Sequence, residues 1–270
     1  MTTFNTGETD LDLKQEYNPE GSTLRKAQLR MLDMLEYLQG VFEKLNVPWH
    51  LDAGSVLGAV RHGGFIPWDD DLDVVILDND AVKVKKYLIT HPHPQYKIQC
   101  KETDPNFFER WMVLRDTKSE YVIDSPMHNC RKYRGIQVDI FVERTGVVES
   151  IFKFSKKISG LNNYHLAGRV KGIPHIIHFA QTYFFHPLFS FISLLCGNKK
   201  IVSYNYGIQW NFRYAFDDVY PTKPMLFEGK YFPGPANPEN YLVVHYGKNW
   251  QFLPPKDKRN WHQATLKIWE

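Results

Sequence analysis

The sequence predicts an α/β (α+β) fold, a mixed sheet flanked by helices. One long helix is expected over residues 22–46, because Leu24, Met31, Leu38 and Leu45 recur every seven residues on one stripe. Short runs rich in β-formers follow it, and helical patterns interrupt them. Such a mixture of amphipathic helices and short strands is typical of α/β and α+β domains.

The elements are predicted from these patterns and from the turn residues between them. Ser22 or Thr23 can cap the long helix, and Asn46 and Pro48 end it. A strand is expected over 49–53, followed by a short helix that opens at Gly54-Ser55 and by a Gly-rich loop. The run DDDLDVVIL predicts a strand, because residues 74–77 are β-branched or apolar and form too short a run for a typical helix.

Further elements complete the first half of the chain. Asn79 or Asp80 is expected to cap a helix that ends before His91-Pro92. The strand-like runs that remain are 95–100, 108–115, 119–123 and 135–142.

Composition divides the chain into four parts. Residues 1–20 resemble a flexible, solvated arm, 21–149 contain the predicted helices and strands of the core domain, and 217–270 return to mixed charge and complete that domain. Between them, residues 150–216 contain no Asp or Glu, eight Lys or Arg, and an apolar, aromatic middle. Two interpretations of this basic, aromatic and helical insertion are open. It lies on a membrane or faces the acceptor, or it packs its apolar face on the core.

Overall composition excludes several classes of protein. With 270 residues, 43% of them hydrophobic, the chain has enough apolar material for a sizeable core, so disorder is excluded. A net charge of +3 does not suggest a nucleic-acid-binding protein. The three cysteines are widely spaced, the sequence shows no secretory signal, and no uninterrupted apolar run is long enough to span a membrane. These observations predict a cytoplasmic protein, which would be peripheral to the inner face of a membrane if 150–216 binds one.

Carboxylates are concentrated around the predicted strand at 71–77. On a strand Asp71 and Asp73 point the same way, and Asp69 shares their parity if the strand extends back. A lone Asp139 interrupts the apolar strand at 135–142, and it would complete a triad if the two strands are neighbours. Mg²⁺ (or Mn²⁺) is the natural counter-ion, with Asp139 as third ligand or as proton acceptor. The alternatives are a solvated turn or a calcium loop, and the latter is disfavoured because Val74 stands where that loop needs Gly.

Candidate phosphate-binding residues flank these carboxylates. Gly54 and Ser55 open a helix whose N–H groups can bind an anion, although the pair is also an ordinary helix start. Arg61 can form a bidentate pair with phosphate or lie on the surface. His62 can bond donor or acceptor or only close the loop, and Arg115 is a phosphate clamp or a structural ion pair. Together with the carboxylates, this pattern indicates metal-dependent transfer from a nucleotide.

The stretch WHLDAGSVLGAVRHGGFIPWDDDLDVV, residues 49–75, resembles the signature of the LicD family, which includes the fukutin-related proteins. The runs at 136–141 and 227–247 resemble its later acidic strand and its C-terminal motif, so the similarity spans about 22–149 and 217–262. The resemblance implies a nucleotidyltransferase-like core that transfers a phospho-alcohol such as phosphocholine from a CDP-activated donor. The acceptor would be a hydroxyl of a cell-surface glycan or lipid-linked glycan, of lipopolysaccharide or teichoic-acid type, and CMP would leave.

Two other functions are compatible with the same residues. One is nucleotidyl transfer, in which attack falls on the proximal phosphorus and pyrophosphate leaves. The other is a non-catalytic glycan- or membrane-binding protein that keeps the fold, which predicts no Mg²⁺-dependent nucleotide binding.

Overall fold

The computed structural model describes residues 4–259 and 265–269. The strands are β1 (Trp49–Leu51), β2 (Asp73–Leu77), β3 (Tyr96–Gln99), β4 (Met112–Asp116), β5 (Ser119–Val122), β6 (Gln137–Thr145), β7 (Ile201–Tyr204), β8 (Arg213–Ala215), β9 (Lys223–Phe227), β10 (Lys230–Gly234) and β11 (Thr265–Ile268). The α-helices are α1 (Asp10–Tyr17), α2 (Thr23–Leu45), α3 (Ala53–His62), α4 (Asp78–Thr90), α5 (Pro126–Asn129), α6 (Glu149–Gly160), α7 (Ile173–Ala180), α8 (His186–Cys196), α9 (Phe216–Val219) and α10 (Pro238–Tyr246).

Within the described residues, seven strands form the main sheet. Its order is β1-β2-β6-β4-β3, and β7 and β8 continue it from the far half of β6. β2 and β6 run parallel, and every other neighbouring pair in this sheet is antiparallel. The long strand β6 therefore connects two halves of the sheet, and the α/β prediction is confirmed.

The two faces of β2 and β6 differ in what covers them. Val74, Ile76 and Ile140 point to the larger core, to which α2 contributes its apolar stripe. Val75 and Phe141 point the other way, into a smaller cluster that includes Phe152 of α6 and Phe189 of α8. Because side chains alternate along a strand, Asp73 and Asp139 share this second face with Val75 and Phe141.

The predicted helix at 22–46 is confirmed as α2. The Ser22 side chain accepts a hydrogen bond from the Arg25 N–H at 3.2 Å, and Asn46 ends the helix with a φ of +52°. Met31, Leu35, Leu38 and Phe42 are buried, as their spacing predicts.

Several predicted boundaries are wrong. β2 begins at Asp73, so residues 69–72 are loop and Asp71 owes its position to that loop instead of to strand parity. The helix after β2 starts directly at Asp78 with Leu77 as its N-cap, not at Asn79 or Asp80. Acidic residues in its first turn suit the positive end of the helix dipole, so no capping side chain is needed.

The N-terminal segment differs from the solvated arm expected over 1–20, of which residues 1–3 lie outside the described part. Residues 10–17 form α1, which opens with a reciprocal capping box between Thr9 and Asp12. Leu13 is fully buried in the larger core, and Asn18 Nδ2 donates to Gln28 Oε1 at 2.7 Å. Only Leu13 and Tyr17 of this helix are apolar at helical spacing, which is too weak a periodic signal to predict it from the sequence.

The basic, aromatic segment is helical only in part. α6 continues into a π-helical turn at Leu161–Leu166, and α7 and α8 join through a second one at Gln181–Phe185. Residues 201–215 then leave the helical layer and add β7 and β8 to the main sheet. The helical part thus ends at Cys196 and not at 216.

Contrary to expectation, one helical stretch is long and apolar enough to cross a membrane by length and composition, Ile173–Cys196 with 24 residues. Its two prolines and three histidines do not interrupt it. Pro174 lies in the first turn, where no N–H partner is required, and Pro187 follows the π-helical turn.

The C-terminal residues return to the catalytic domain. The hairpin β9–β10 packs beside β1, and α10 packs against α3. Residues 260–264 and 270, which belong to the predicted C-terminal part and to the end of the family resemblance, lie outside the described residues.

Candidate active site

Three carboxylates meet where β2 begins. Asp73 pairs in register with Asp139 on the parallel neighbour β6. Asp71 approaches from the preceding loop, and one oxygen of each of the three groups lies within 4.8 Å of the others. The condition on which the predicted triad depended, adjacency of the two strands, is therefore confirmed. The role of these residues stays a prediction.

Burial and mutual repulsion disfavour three negative charges at this point. Removal from water, then Asp71, then Asp139, raises the pKa of Asp73 well above its usual range. Burial and then Asp71 raise the pKa of Asp139 to about 7, although the guanidinium of Arg115 opposes the shift. Within the described part of the chain, Asp73 Oδ1 is buried without a hydrogen-bond partner.

The donor set fits a hard divalent cation. It consists of carboxylate oxygens, which suit Mg²⁺ or Mn²⁺ better than zinc or copper. The buried and unpaired Asp73 Oδ1 is the kind of atom that a bound cation satisfies. Trp111 Nε1 and Gln137 Nε2 donate to the two oxygens of Asp139 at 3.3 and 3.2 Å, which orients that carboxylate.

The start of α3 forms the opposite side of the site. The Asp73 N–H donates to Ser55 Oγ at 3.0 Å, so Ser55 fixes the first turn of α3 to the first residue of β2. A Cβ at Gly54 would lie 3.0 Å from Asp69 Oδ2 and 4.0 Å from the Tyr246 hydroxyl. Gly54 therefore leaves space at the helix start into which an anion can reach.

The Asp52 side chain holds the start of α3 in place through hydrogen bonds to two tyrosine hydroxyls. Its Oδ2 accepts a hydrogen bond from the Tyr204 hydroxyl at 2.5 Å and its Oδ1 accepts one from Tyr241. Ala53 follows with a φ of +41°, a left-handed conformation that is strained for a residue with a side chain. Its N–H donates to the Tyr241 hydroxyl at 3.2 Å. Sequence analysis did not single out Asp52, because its partners lie more than 150 residues away.

Three of the predicted phosphate-binding residues, Gly54, Ser55 and Arg61, line one cleft together with the triad. Asp69, the predicted supporting carboxylate, lines the same cleft. Burial lowers the pKa of Arg61 to about 10, and it remains a cation at neutral pH.

His62 does not line the cleft, so the prediction that it binds substrate is not supported by its position. It is buried, its Nε2 accepts from Arg61 Nε at 2.9 Å, and its Nδ1 bonds Asp10 Oδ1 at 2.7 Å. Burial, and then Arg61, lower its pKa to about 4, so it stays neutral and positions Arg61.

The position of Arg115 does not support the prediction that it clamps a phosphate. Its side chain is 1% exposed and does not line the cleft. Its Nε donates to Gln99 Oε1 at 2.8 Å and its Nη1 to the Gly135 carbonyl at 3.0 Å. Arg115 pairs in register with Gln137, so it shares the face of Asp139, but its side chain is buried and held by these two bonds, which gives it a structural role.

An aromatic wall closes the cleft, whose volume is about 820 Å³. Sequence analysis missed it, because its members follow the triad by many residues and carry no local motif. The wall consists of Tyr204, Trp210, Phe212, Tyr246, Trp250 and Phe252, with Lys258 at its edge. A cleft of this size, apolar on one side and anionic on the other, suits a nucleotide-sized ligand.

Comparison with known proteins places this geometry in a family. Residues 46–165 match the family model described as LicD/FKTN/FKRP, nucleotidyltransferase domain. The chain is 35% identical over 80 residues to the lipopolysaccharide cholinephosphotransferase LicD of Haemophilus influenzae, which covers 30% of each protein. It is 43% identical over 66 residues to the ribitol 5-phosphate transferase FKRP of Mus musculus, which covers 24% of this chain and 13% of that protein.

A further match is 25% identical over 134 residues to an uncharacterized protein of Rickettsia prowazekii, covering 43% of this chain and 50% of that protein. The matched regions thus span half or less of the length of these relatives. The family resemblance predicted from the motif at residues 49–75 is confirmed for that part of the chain, since residues 46–165 match the LicD/FKTN/FKRP nucleotidyltransferase domain and the relatives include LicD and FKRP.

Proposed function

We propose that this protein is a metal-dependent phosphotransferase that moves a phospho-alcohol from a CDP-activated donor to a hydroxyl of a glycan and releases CMP. The observation that carries the proposal is the meeting of Asp71, Asp73 and Asp139 in a nucleotide-sized cleft opposite Gly54. The names of two relatives, a cholinephosphotransferase and a ribitol 5-phosphate transferase, support the type of group transferred.

Asp71 and Asp73 would hold Mg²⁺ or Mn²⁺, with Asp139 as third ligand or as proton acceptor. When bound, the ion supplies positive charge that offsets the negative charge of the donor diphosphate. The start of α3 at Gly54 and the Arg61 guanidinium bind phosphate oxygens from the other side, and the aromatic wall shields the diphosphate from water.

The reaction has one bond made and one bond broken at the distal phosphorus. The acceptor hydroxyl oxygen bonds to that phosphorus, the bond to the bridging oxygen breaks, and CMP leaves with the bridging oxygen. The hydroxyl proton goes to a carboxylate oxygen of Asp139, whose pKa of about 7 suits proton transfer near neutral pH. Trp111 and Gln137 hold this carboxylate in place.

Incubation with a panel of CDP-alcohols (choline, ribitol and glycerol) and a glycan acceptor tests the proposal. We expect CMP release that needs Mg²⁺ or Mn²⁺ and stops with a chelator. Pyrophosphate release from CTP would instead support nucleotidyl transfer. If calorimetry detects no metal-dependent nucleotide binding, the protein is a non-catalytic binding protein and the proposal is wrong.

A further inference from the structure

The helical segment at 149–196 is built with its polar side inward. The side chains buried against the domain are mostly polar: Ser155, Ser159, Asn162, Asn163, His178, Gln181 and Ser193. The exposed side chains of α7, α8 and the turn between them are mostly large and apolar: Ile173, Ile176, Phe179, Tyr183, Phe184, Leu188, Phe191, Leu194 and Leu195. A helix on a protein surface in water normally shows the reverse arrangement.

The inward polar side is held by hydrogen bonds. Gln181 Nε2 donates to Ser159 Oγ at 2.7 Å, and Asn162 Nδ2 donates to the Pro174 carbonyl at 3.2 Å. Ser193 Oγ lies 2.5 Å from the Tyr206 hydroxyl. Rotation of α7 and α8 to bury the apolar side would break these bonds, so the apolar side is fixed outward.

The outward side is large and carries no charge. Between Gly172 and Asn198 the chain has no Lys, Arg, Asp or Glu. Ile176, Phe184 and Leu195 are each about two-thirds exposed, at 68, 65 and 66%. Contiguous apolar surface of this extent is unusual on a protein that faces water on all sides.

Cations flank the apolar face at both ends. Arg169 and Lys171 precede α7, and Lys199 and Lys200 follow α8. Within the described residues none of these four forms an ion pair with a carboxylate, and no acidic residue occurs between 150 and 216. A surface with an apolar centre and a cationic edge is complementary to an anionic lipid layer, whose headgroups attract Lys and Arg.

We propose that the outward face of α7 and α8, the apolar face hereafter, docks on an anionic membrane, with the helix lying in the plane of the interface. Only 17% of the most apolar stretch of the helix is buried in the protein, which leaves the rest for lipid. A spanning orientation is disfavoured, because Thr182, Ser190 and Ser193 bond to Arg110, Arg144 and Tyr206 of the main domain, which would be carried into the hydrocarbon. This inference does not depend on the proposed function.

The docked orientation would bring the cleft close to lipid. Phe189 of α8 belongs to the same buried cluster as Phe141 and Tyr204, and both of these line the cleft. The cleft and the membrane would thus be separated by α8 and the side chains of this cluster. An acceptor built on a lipid carrier would then reach the cleft without leaving the bilayer surface.

Co-sedimentation of the full chain with vesicles tests the proposal. We expect binding to vesicles of equal parts phosphatidylcholine and phosphatidylglycerol, weakening as salt rises. Binding to phosphatidylcholine alone should be at least about tenfold weaker. The variant Ile176→Ser/Phe184→Ser/Leu195→Ser should bind the anionic vesicles at least about tenfold less well, because three large apolar side chains are lost.

A matched control removes exposed apolar side chains elsewhere. The variant Val82→Ser/Leu226→Ser/Tyr231→Ser changes residues of the catalytic domain that are 71, 46 and 67% exposed, and it should bind like the wild type. Circular dichroism and thermal melting establish that both variants fold. Should the first variant not fold, Lys171→Gln/Lys199→Gln/Lys200→Gln gives a second test, with weaker binding to anionic vesicles expected.

Three results would overturn the proposal. The first is no binding of the wild type to anionic vesicles, and the second is equal binding by the wild type and the apolar-face variant. The third is self-association of the wild type without vesicle binding, lost in the apolar-face variant on light scattering. That outcome would make the face a contact between protein copies.

Discussion

The candidate cleft and the helical segment 149–196 place polar and apolar side chains in opposite ways. In the main α/β domain the apolar side chains fill a core, and charged groups gather at one cleft, where they repel each other. In the helical segment polar side chains such as Asn162, Gln181 and Ser193 are buried and form hydrogen bonds, and the large apolar ones point outward. Each region is costly in water alone, and each becomes favourable with a particular partner.

Each of the two regions lacks a different kind of binding partner. The cleft concentrates negative charge without enough cations, so it calls for a positive partner. The apolar face presents hydrocarbon without a covering layer, so it calls for an apolar and anionic partner. In both cases the partner is inferred from an unfavourable arrangement that the fold nevertheless maintains.

The largest effect is expected from the triad. Asp71→Asn or Asp73→Asn should lower metal-dependent CMP release at least about 10²–10³-fold, because each removes a negative ligand from the cation site while keeping the side-chain shape. The measurement is CMP release from a CDP-alcohol at saturating Mg²⁺. Asp70→Asn is the matched control, since Asp70 belongs to the same acidic run but does not line the cleft. Full activity of either triad variant would remove the mechanism.

Substitutions at two arginines are expected to affect different properties, donor binding at Arg61 and stability of the fold at Arg115. Arg61→Gln should lower kcat/KM for the donor by about 10–100-fold, because a charged hydrogen bond to phosphate is lost. Arg115→Met should leave the KM of the folded enzyme unchanged. It should instead destabilise the protein by about 1–3 kcal/mol in urea unfolding, because Gln99 Oε1 and the Gly135 carbonyl lose their buried donors. The opposite result for either residue would contradict its assigned position.

Smaller effects are expected from alanine substitutions at two glycines. Gly54→Ala should lower kcat/KM about tenfold, because the added methyl group would lie 3.0 Å from Asp69 Oδ2 and fill the space at the start of α3. Gly40→Ala lies in the middle of α2, where a Cβ meets nothing within 4 Å, and it should stabilise the fold by about 0.5–1 kcal/mol. Steady-state kinetics and thermal melting check the pair. Unchanged kinetics in Gly54→Ala would exclude phosphate binding at this helix start.

The smallest expected effect is on how the stability of the metal-free protein depends on pH. The pKa of Asp139 is raised from 3.8 to about 7 and that of Asp73 is also raised, so the folded state binds more protons than the unfolded chain between these values. Their contribution to stability is therefore full below about pH 4 and is lost as the pH rises through about 7. In chelator, Asp73→Asn should raise the thermal midpoint by a few degrees at neutral pH, and less under acid conditions. An unchanged midpoint at neutral pH would contradict the repulsion described here.

Metal addition should reverse this pH dependence. Cation binding requires ionised carboxylates, so Mg²⁺ or Mn²⁺ should raise the midpoint of the wild type more at pH 8 than at pH 5, which differential scanning fluorimetry measures. Asp73→Asn should show a much smaller increase at either pH. Equal stabilisation of both proteins would locate the metal elsewhere.

Local patterns predicted the parts of the molecule that local physics determines. The heptad spacing of α2 and the apolar run at 74–77 identified those elements, and the lone Asp139 in an apolar strand marked the third carboxylate, on the condition that the two strands are neighbours. The family signature at 49–75 covers a stretch that is compact in the fold, from β1 to β2, so its motif could be interpreted as one site.

The remaining parts depend on contacts between distant residues. The aromatic wall and the Asp52–Tyr204–Tyr241 bonds join segments far apart in sequence, and no spacing rule predicts them. Arg115 lies on the same face of the sheet as Asp139, but it is buried and bonded to Gln99 and the Gly135 carbonyl, which the sequence does not predict. The sequence does not predict that the polar side chains of 149–196 face inward, since an apolar stripe is compatible with a buried side and with a lipid-facing side.

The most direct test of the triad is a titration of Mn²⁺ into the metal-free protein with CDP-choline present, followed by electron paramagnetic resonance of the free ion. We predict saturable binding at one site in the wild type and in Asp70→Asn, and loss of that site in Asp71→Asn and Asp73→Asn. Binding that is absent from the wild type, or that persists unchanged in both triad variants, would contradict a metal centre at these carboxylates.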